Sequence, residues 1–336
     1  MRVFQIQDKF GFDNLVSTNR PEPTAGAGQV VFKLRAASLN YRDLLTVDGR
    51  YNPRLALPLI PLSDGVGEVV AIGEGVTRVK VGDRVAGNFS QKWISGEPSR
   101  TKLGASLGGP IDGMLAEYRV LDQEGVVIVP PHLTDEEAAT LPCAALTAWN
   151  ALITVGSIKA GDVVLAQGTG GVSTFALQFA KVSGASVIIT SSSDDKLERA
   201  RGLGADHTIN YRTNADWEKQ VKELTGGVGA DHIIEVGGAG TFNKSLRAIR
   251  IGGQISLIGN LSGNAADVNL VSILMQNIRI QGILVGSREG FEAMNRAIAL
   301  HQMHPVIDRV FSFDESRAAF DYMATGVHFG KICIRF

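Results

Sequence analysis

Thiols are scarce: Cys143 and Cys333 are the only 2 cysteines among 336 residues. A disulfide framework and a four-cysteine zinc lobe are therefore excluded. No apolar run approaches the roughly 18 residues that cross a bilayer, and Met1-Arg2-Val3-Phe4 reads as the start of a strand rather than a leader. The expected location is cytoplasmic, with no membrane partner. Neither sign of charge dominates, with 33 basic against 34 acidic residues and a net charge of −1. Because no basic run or aromatic-interleaved basic patch occurs, nucleic acid is excluded as a primary partner. No internal repeat of about 20–50 residues is present, which removes solenoids and propellers.

What the chain does contain is a glycine turn in a telling place. Val163-Val164-Leu165-Ala166-Gln167-Gly168-Thr169-Gly170-Gly171-Val172-Ser173 runs an apolar strand into that turn and then into an amphipathic helical pattern. The glycines remove side chains where a backbone must turn sharply and approach a pyrophosphate. The helix opening at Gly171 offers free N–H groups and a positive dipole end. An ordinary strand-to-helix turn is the alternative for so short a pattern, and the context decides. A helix over 174–182 ends at Gly184, a strand covers 186–190, and a helix from Asp194 stops at Gly202 or Gly204. Strands over 207–210, 231–236, 254–259 and 278–285 then alternate with helices over 217–224, 242–249 and 271–276. Six Val/Ile/Leu-rich strands separated by helices predict a doubly wound parallel sheet that binds a dinucleotide.

The end of the second strand discriminates between dinucleotides. An NAD site places a carboxylate about 20 residues past the first glycine for the adenosine ribose. Here that place reads Thr190-Ser191-Ser192-Ser193, with Lys196 one turn on. Hydroxyls and a cation suit a 2′-phosphate, which a carboxylate at 4 Å would repel by roughly 4 kcal/mol before screening. NADP(H) is the expected cofactor. Two other readings stay open: the serines cap the following helix, or Asp194 reaches the ribose.

A chain this long exceeds one core. The sheet unit occupies about 131–286, leaving 1–130 and 287–336 for a second domain. Strand-like segments at 2–7, 30–38, 65–72, 84–86, 116–120 and 126–129 predict a small β-barrel or β-rich domain. Helices near 290–301 and 314–325 and a strand over 331–335 return to it.

Several motifs resemble those of the medium-chain dehydrogenase/reductase superfamily, in particular its zinc-free quinone oxidoreductase and enoyl reductase branches. They are Asn40-Tyr41-Arg42-Asp43, the glycine series Gly65, Gly67, Gly73 and Gly75, Val81-Gly82-Asp83-Arg84-Val85, Leu141-Pro142-Cys143-Ala144-Ala145, Gly168-x-Gly170-Gly171-Val172 and Leu203-Gly204-Ala205-Asp206. The resemblance spans nearly the whole chain. It implies an α/β architecture, a Rossmann doubly wound parallel sheet plus a GroES-like β-rich catalytic domain, with an active-site cleft between them. It implies cofactor contacts from Gly168, Thr169, Gly170, Gly171, Val172, Ser191, Ser192, Ser193, Lys196, Tyr211, Asn260, Leu261, Leu284 and Val285, and a small-molecule substrate. It also implies a homodimer whose 278–285 strands pair edge to edge, with 270–275 alongside.

The departures from the family's zinc enzymes concern the metal. Those enzymes carry a cysteine where this chain has Asn40, and a His-Glu pair where it has Ser63-Asp64. Only Cys143 matches a third ligand position, and it reads as a packed apolar residue of a helix over 134–155. Asn88–Asp112 contains no cysteine, and His301-x-x-His304 reads as solvated charge at a helix end. No metal is expected. Without a Lewis acid, nothing evident lowers the alkoxide pKa that alcohol oxidation needs. Adding hydride to a conjugated C=C moves charge onto an oxygen that neutral donors can hold. Asn40 is the candidate donor, or else it satisfies its own backbone. Arg42 and Asp43 read as an ion pair or loop brace. In the enoyl reductase branch a tyrosine lies eight residues past the motif's aspartate, following a glycine, and Tyr51 after Gly49 matches that register. A phenol stays protonated at neutral pH and can donate; Tyr51 either does so or lines the pocket, and Tyr41 is the second candidate. Phe89 and Trp93 are further pocket candidates by position in the family fold. The expected activity is NADPH-dependent, zinc-independent hydride transfer to a quinone, enone or enoyl thioester. The alternatives are a carbonyl reductase/alcohol dehydrogenase and a crystallin-like nucleotide-binding protein with little catalysis.

Overall fold

A computed structural model describes residues 1–336. Two compact units emerge: Met1–Leu146 with Val285–Phe336, and Thr147–Leu284. The first boundary falls later than 130 because the helix Asp135–Ala139 packs on strands of the first unit.

In the first unit, β1 (Arg2–Ile6) and β2 (Leu15–Asn19) form a hairpin. The main sheet is built on β3 (Gln29–Ser38), β4 (Asp64–Ile72), β5 (Arg84–Gly87), β6 (Tyr118–Asp122) and β7 (Val126–Ile128). In the second unit, β8 (Val163–Ala166), β9 (Ser186–Ser191), β10 (His207–Asn210), β11 (Ala230–Glu235), β12 (Ile249–Leu257) and β13 (Arg279–Gly282) make the predicted parallel sheet. The chain then returns to the first unit as β14 (Ile307–Ser312) and β15 (Lys331–Arg335), giving the order β14-β15-β3-β4-β5-β7 with β6 also on β3.

Along β3 the pleat alternates, with Phe32 and Leu34 inward and Lys33 and Arg35 outward. From Ala36 through Asn40 every residue is buried. Strand alternation gives way there to the polar cluster described below. The core beneath the sheet is apolar, with Phe32, Leu62, Met114 and Phe320 at its centre.

The second sheet runs β10-β9-β8-β11-β12-β13. Its direction of growth reverses between β8 and β11, so the carboxyl ends of those two strands flank the crevice where such sheets bind ligands. Leu165, Ile188, Ile233 and Ile255 fill its core.

Three sequence expectations are corrected. The single helix over 134–155 is instead an α-turn at Asp135–Ala139, a π-helical turn at Leu141–Ala145, an α-turn at Leu146–Trp149 and another π-turn at Asn150–Thr154. Pro142 lacks the N–H that regular helix would need there. The sixth strand is confined to Arg279–Gly282, because Asn277 and Val285 take φ of 50° and 47° and bend the chain at either end. The segment expected at 116–120 pairs two residues later, as β6. β2, β14 and the helix Tyr41–Val47 have no counterpart in the sequence reading. No helix is long and apolar enough to cross a membrane.

Candidate active site

The second unit holds the nucleotide-type crevice. β8 runs into Gln167 and Gly168, and the helix Gly171–Val182 opens directly after the turn. Gly168 takes φ of 70°, and a Cβ there or on Gly170 would meet no atom within 4 Å. The turn thus presents bare backbone to open space, which is what a pyrophosphate requires. A cavity of about 410 Å³ adjoins it, lined among others by Gly168, Thr190, Tyr211, Thr241 and Leu261. Thr190 Oγ1 accepts from Gly168 N at 3.2 Å, so the end of β9 fixes the turn.

Of the residues at the end of β9, Ser191 is buried, and its hydroxyl accepts from Ser193 N at 3.3 Å. Ser193 caps the helix Asp194–Gly202, accepting from Lys196 N. The capping reading of the serines therefore has a geometric basis. Asp194 accepts from the Asn210 amide at 2.8 Å, a local contact. Asn260 bonds Asn264 in the loop after β12, and Leu261 and Leu284 are exposed.

Glu235, unnoticed as a site residue in the sequence, bonds three residues that line this cavity, Gln167, Gly237 and Thr241. It is 0% exposed. One carboxylate oxygen accepts from Gly237 N at 2.9 Å, Gly238 N at 3.0 Å and the Thr241 hydroxyl; the other accepts from Gln167 Nε2 at 2.7 Å and the Ser245 hydroxyl. Five neutral donors thereby replace the water a buried carboxylate loses. They tie the residue before the phosphate turn to the turn after β11. A carboxyl set in the apolar run Ile233-Ile234-Glu235-Val236, just before the pair Gly237-Gly238, was the available signal.

The first unit gathers a polar cluster around Asn40. This residue caps the helix Tyr41–Val47, its backbone N donating to Asp43 Oδ2 at 2.8 Å. Its carboxamide also reaches two other strands: Nδ2 donates to Asp64 Oδ2 at 2.8 Å, and Oδ1 accepts from Lys331 Nζ at 2.6 Å. Asp64 also accepts from Ser38 at 3.1 Å and Ser63 at 2.8 Å, with Lys331 Nζ 3.7 Å away. Burial pushes the Asp64 carboxyl above the ordinary range, against the pull of Lys331 and these hydrogen bonds. Cys143 lies in the π-turn beside these charges rather than on a regular helix face, and burial pushes its thiol up, reinforced by Asp64.

The resemblance puts these positions in the place of the zinc enzymes' metal ligands, and the residues present are a poor set for the ion. Both ends of the Asn40 carboxamide are engaged, and an ammonium already faces Asp64. No group of three or more His, Cys, Asp or Glu side chains is placed to hold a metal.

Arg42 is more a brace than a partner of Asp43. Its guanidinium lies between the rings of Tyr51 and Phe89, 4.8 and 4.9 Å from their centroids, and donates to Leu107 O at 3.1 Å, whereas Asp43 is 3.5 Å away. Phe89 and Trp93 are buried, while Tyr51 is 43% exposed and Tyr41 45%. Desolvation raises the Asp43 carboxyl to about 6, with Arg42 opposing. A folded pKa above the ordinary 3.8 means the native state keeps a proton that the unfolded chain releases, so stability falls as pH rises from 4 toward 6 and beyond. Asp43→Asn removes that dependence. Its unfolding free energy should gain about 2 kcal/mol on the parent between pH 4.5 and 8 in denaturant titrations; a pH-independent difference would contradict the assignment.

The fold and these sites define a two-unit, nucleotide-dependent oxidoreductase. Residues 26–131 match the alcohol dehydrogenase GroES-like domain family, and 171–300 the zinc-binding dehydrogenase family. A zinc-type alcohol dehydrogenase-like protein of Schizosaccharomyces pombe is 44% identical over 97% of this chain and 96% of its own. A solved NAD-dependent alcohol dehydrogenase is 33% identical with a TM-score of 0.91, covering 100% of both chains. More distant relatives include an acryloyl-coenzyme A reductase of Metallosphaera sedula, 28% identical over 93% of this chain and 94% of its own. A mycobacterial structure complexed with NADPH is 26% identical, covers 100% of both chains and has a TM-score of 0.83. The chain belongs to the medium-chain dehydrogenase/reductase superfamily and is an NAD(P)-dependent oxidoreductase of its alcohol dehydrogenase-like type. The region matched as zinc-binding dehydrogenase contains neither Asn40, Asp64 nor Cys143.

Proposed function

We propose that this oxidoreductase works without zinc, prefers NADPH, and reduces a conjugated carbonyl compound such as a quinone, enone or enoyl thioester. The observation that carries this reading is the Asn40–Asp64–Lys331 network, which ties up the metal-ligand positions in hydrogen bonds of their own and offers a neutral amide donor in their place. A dinucleotide in this crevice would supply hydride for the β-carbon of the acceptor. The C=C π pair then becomes the double bond between the α-carbon and the carbonyl carbon, and the carbonyl π pair moves onto the oxygen as an enolate, whose charge the remaining N–H of Asn40 would hold. Tyr51 would return a proton to the α-carbon, or to the oxygen where the acceptor is a quinone, and solvent would reprotonate its phenolate. Gly168, Thr169, Gly170, Gly171 and Val172 would hold the pyrophosphate. Ser191, Ser192, Ser193 and Lys196 would receive the 2′-phosphate, and Tyr211, Asn260, Leu261, Leu284 and Val285 would complete the cofactor contacts.

The test pairs an acceptor screen with elemental analysis. Protein purified without added metal should contain far less than one zinc per chain, resist chelators, and oxidise NADPH with quinones, enones or enoyl thioesters. Turnover only with aldehydes would assign it as a carbonyl reductase, and none with any acceptor as a nucleotide-binding protein. One tight zinc lost together with activity would overturn the metal-free reading.

The second unit also offers a surface for a second copy of the chain. β13 is an edge strand, and Leu270, Leu274 and Met275 beside it are exposed, the last two at 76% and 74%. Edge pairing of two such strands with these side chains packed across a twofold axis gives a dimer. Light scattering at micromolar concentration should find a dimer, and Leu274→Glu a monomer; a monomeric parent protein would exclude this pairing.

A further inference from the structure

Two antiparallel registers meet at the end of β3. Ser38 lies opposite Cys333 on one side and Asp64 on the other. Lys331, two residues before Cys333, therefore comes beside Asn40, two residues after Ser38. Its side chain is 3% exposed, and its ammonium lies 2.5 Å from Leu39 O, 2.6 Å from Asn40 Oδ1 and 3.7 Å from Asp64 Oδ2.

An ammonium is a donor only, and a carboxylate an acceptor only. The atom of Asn40 facing Lys331 must therefore be its oxygen, and the atom facing Asp64 its nitrogen. The usual twofold ambiguity of a carboxamide is removed by chemistry. A cation on the amide oxygen also draws electrons from the nitrogen and makes its remaining N–H a stronger donor. A purely structural role would not require such a pair, since apolar residues of similar volume often replace a buried ion pair without loss.

We propose that Lys331 is a positioning residue of the reaction: with Asp64, it orients and polarises the Asn40 carboxamide so that the uncommitted N–H meets the substrate oxygen. This deepens, and rests on, the reading of Asn40 as the donor to that oxygen. It also accounts for a feature the sequence reading passed over, a lysine opening the apolar strand Lys331-Ile332-Cys333-Ile334.

The test is a double-mutant cycle, with NADPH oxidation by a benzoquinone or methyl vinyl ketone as the assay. Asn40→Ala should lower kcat about 10²-fold, with KM and NADPH affinity within about threefold. Lys331→Met should lower kcat about tenfold in the parent, and by less than about twofold when Asn40 is already alanine. Lys331→Met leaves Asp64 buried without its cation and can fail to fold. The neutral pair Lys331→Met with Asp64→Asn is the second variant and should show the same non-additivity. A spectroscopic readout is independent of turnover: in ¹⁵N-labelled protein, the Asn40 amide protons, assigned by their absence in Asn40→Ala, should be protected from solvent exchange and lose that protection in the neutral pair. Equal loss from Lys331→Met in both backgrounds, or unchanged Asn40 amide signals, overturns the role of Lys331 and leaves the Asn40 donor standing. Full turnover in Asn40→Ala removes the donor and the positioning role together.

Discussion

Tyr51→Phe is expected to lower turnover by about 10²- to 10⁴-fold while leaving NADPH affinity nearly unchanged, since it removes only a donor used in the transition state. Three features of the local structure support the phenol as proton source. Tyr51 lies just past the turn Asp48-Gly49-Arg50 that ends the helix Tyr41–Val47, and its backbone N donates to Leu45 O at 3.0 Å, which fixes where the ring emerges. The ring is partly exposed, so its hydroxyl can exchange protons with solvent after each cycle. The Arg42 guanidinium rests over it, anchored from behind by Phe89 and Leu107 O, and stabilises the negative charge that develops as the proton departs. A tyrosine that only lines a pocket predicts something else: KM rises modestly on losing its hydroxyl, and kcat stays within a fewfold. Steady-state kinetics on a reactive enone, with NADPH affinity from fluorescence titration, separates the two. Full turnover in Tyr51→Phe would leave Tyr41 or solvent as the source.

The nucleotide unit was far more legible in the sequence than the catalytic one, for a physical reason. Buried parallel strands read as near-continuous Val/Ile/Leu runs, and their turns demand glycine, so both elements write themselves into local composition. His207–Asn210 and Trp217–Leu224 fall where periodicity placed them. The cluster around Asn40 depends instead on which strands become neighbours. Ser38, Asp64 and Lys331 are widely separated in the chain, and only the registers of β15 on β3 and β3 on β4 bring them together. Asn40 was visible as a departure from a motif, but its partners were not. Cys143 shows the converse error: an apolar helix looked regular in sequence, yet Pro142 and the π-turn set the thiol beside charged groups that local pattern could not foresee. Glu235 falls between these cases: it lies within the strand expected over 231–236, but nothing local marks it as the residue that unites two turns.

Ser191→Asp is expected to move the NADPH-to-NADH preference toward NADH by about 100-fold, equivalent to about 2.7 kcal/mol of differential binding. Ser191 is the last residue of β9, the position from which a carboxylate addresses the ribose hydroxyls in sheets of this type. It is buried, its hydroxyl accepts from Ser193 N, and Tyr211 N donates to its carbonyl at 3.0 Å. A carboxylate placed there can keep the Ser193 N–H, so the cap of the following helix survives. It adds a charge beside the proposed site of the 2′-phosphate. Coulomb repulsion of roughly 4 kcal/mol at 4 Å, reduced by solvent and by Lys196 one turn away, leaves an effect of the stated size. NADH has no 2′-phosphate and gains an acceptor for its ribose hydroxyls, so its affinity should hold or improve. If the serines serve only to cap the helix Asp194–Gly202, the substitution should instead change both affinities equally, because nothing at that position would distinguish the two nucleotides. Dissociation constants measured for both cofactors on parent and variant decide the matter, and NADH binding to the parent as tightly as NADPH would overturn the preference itself.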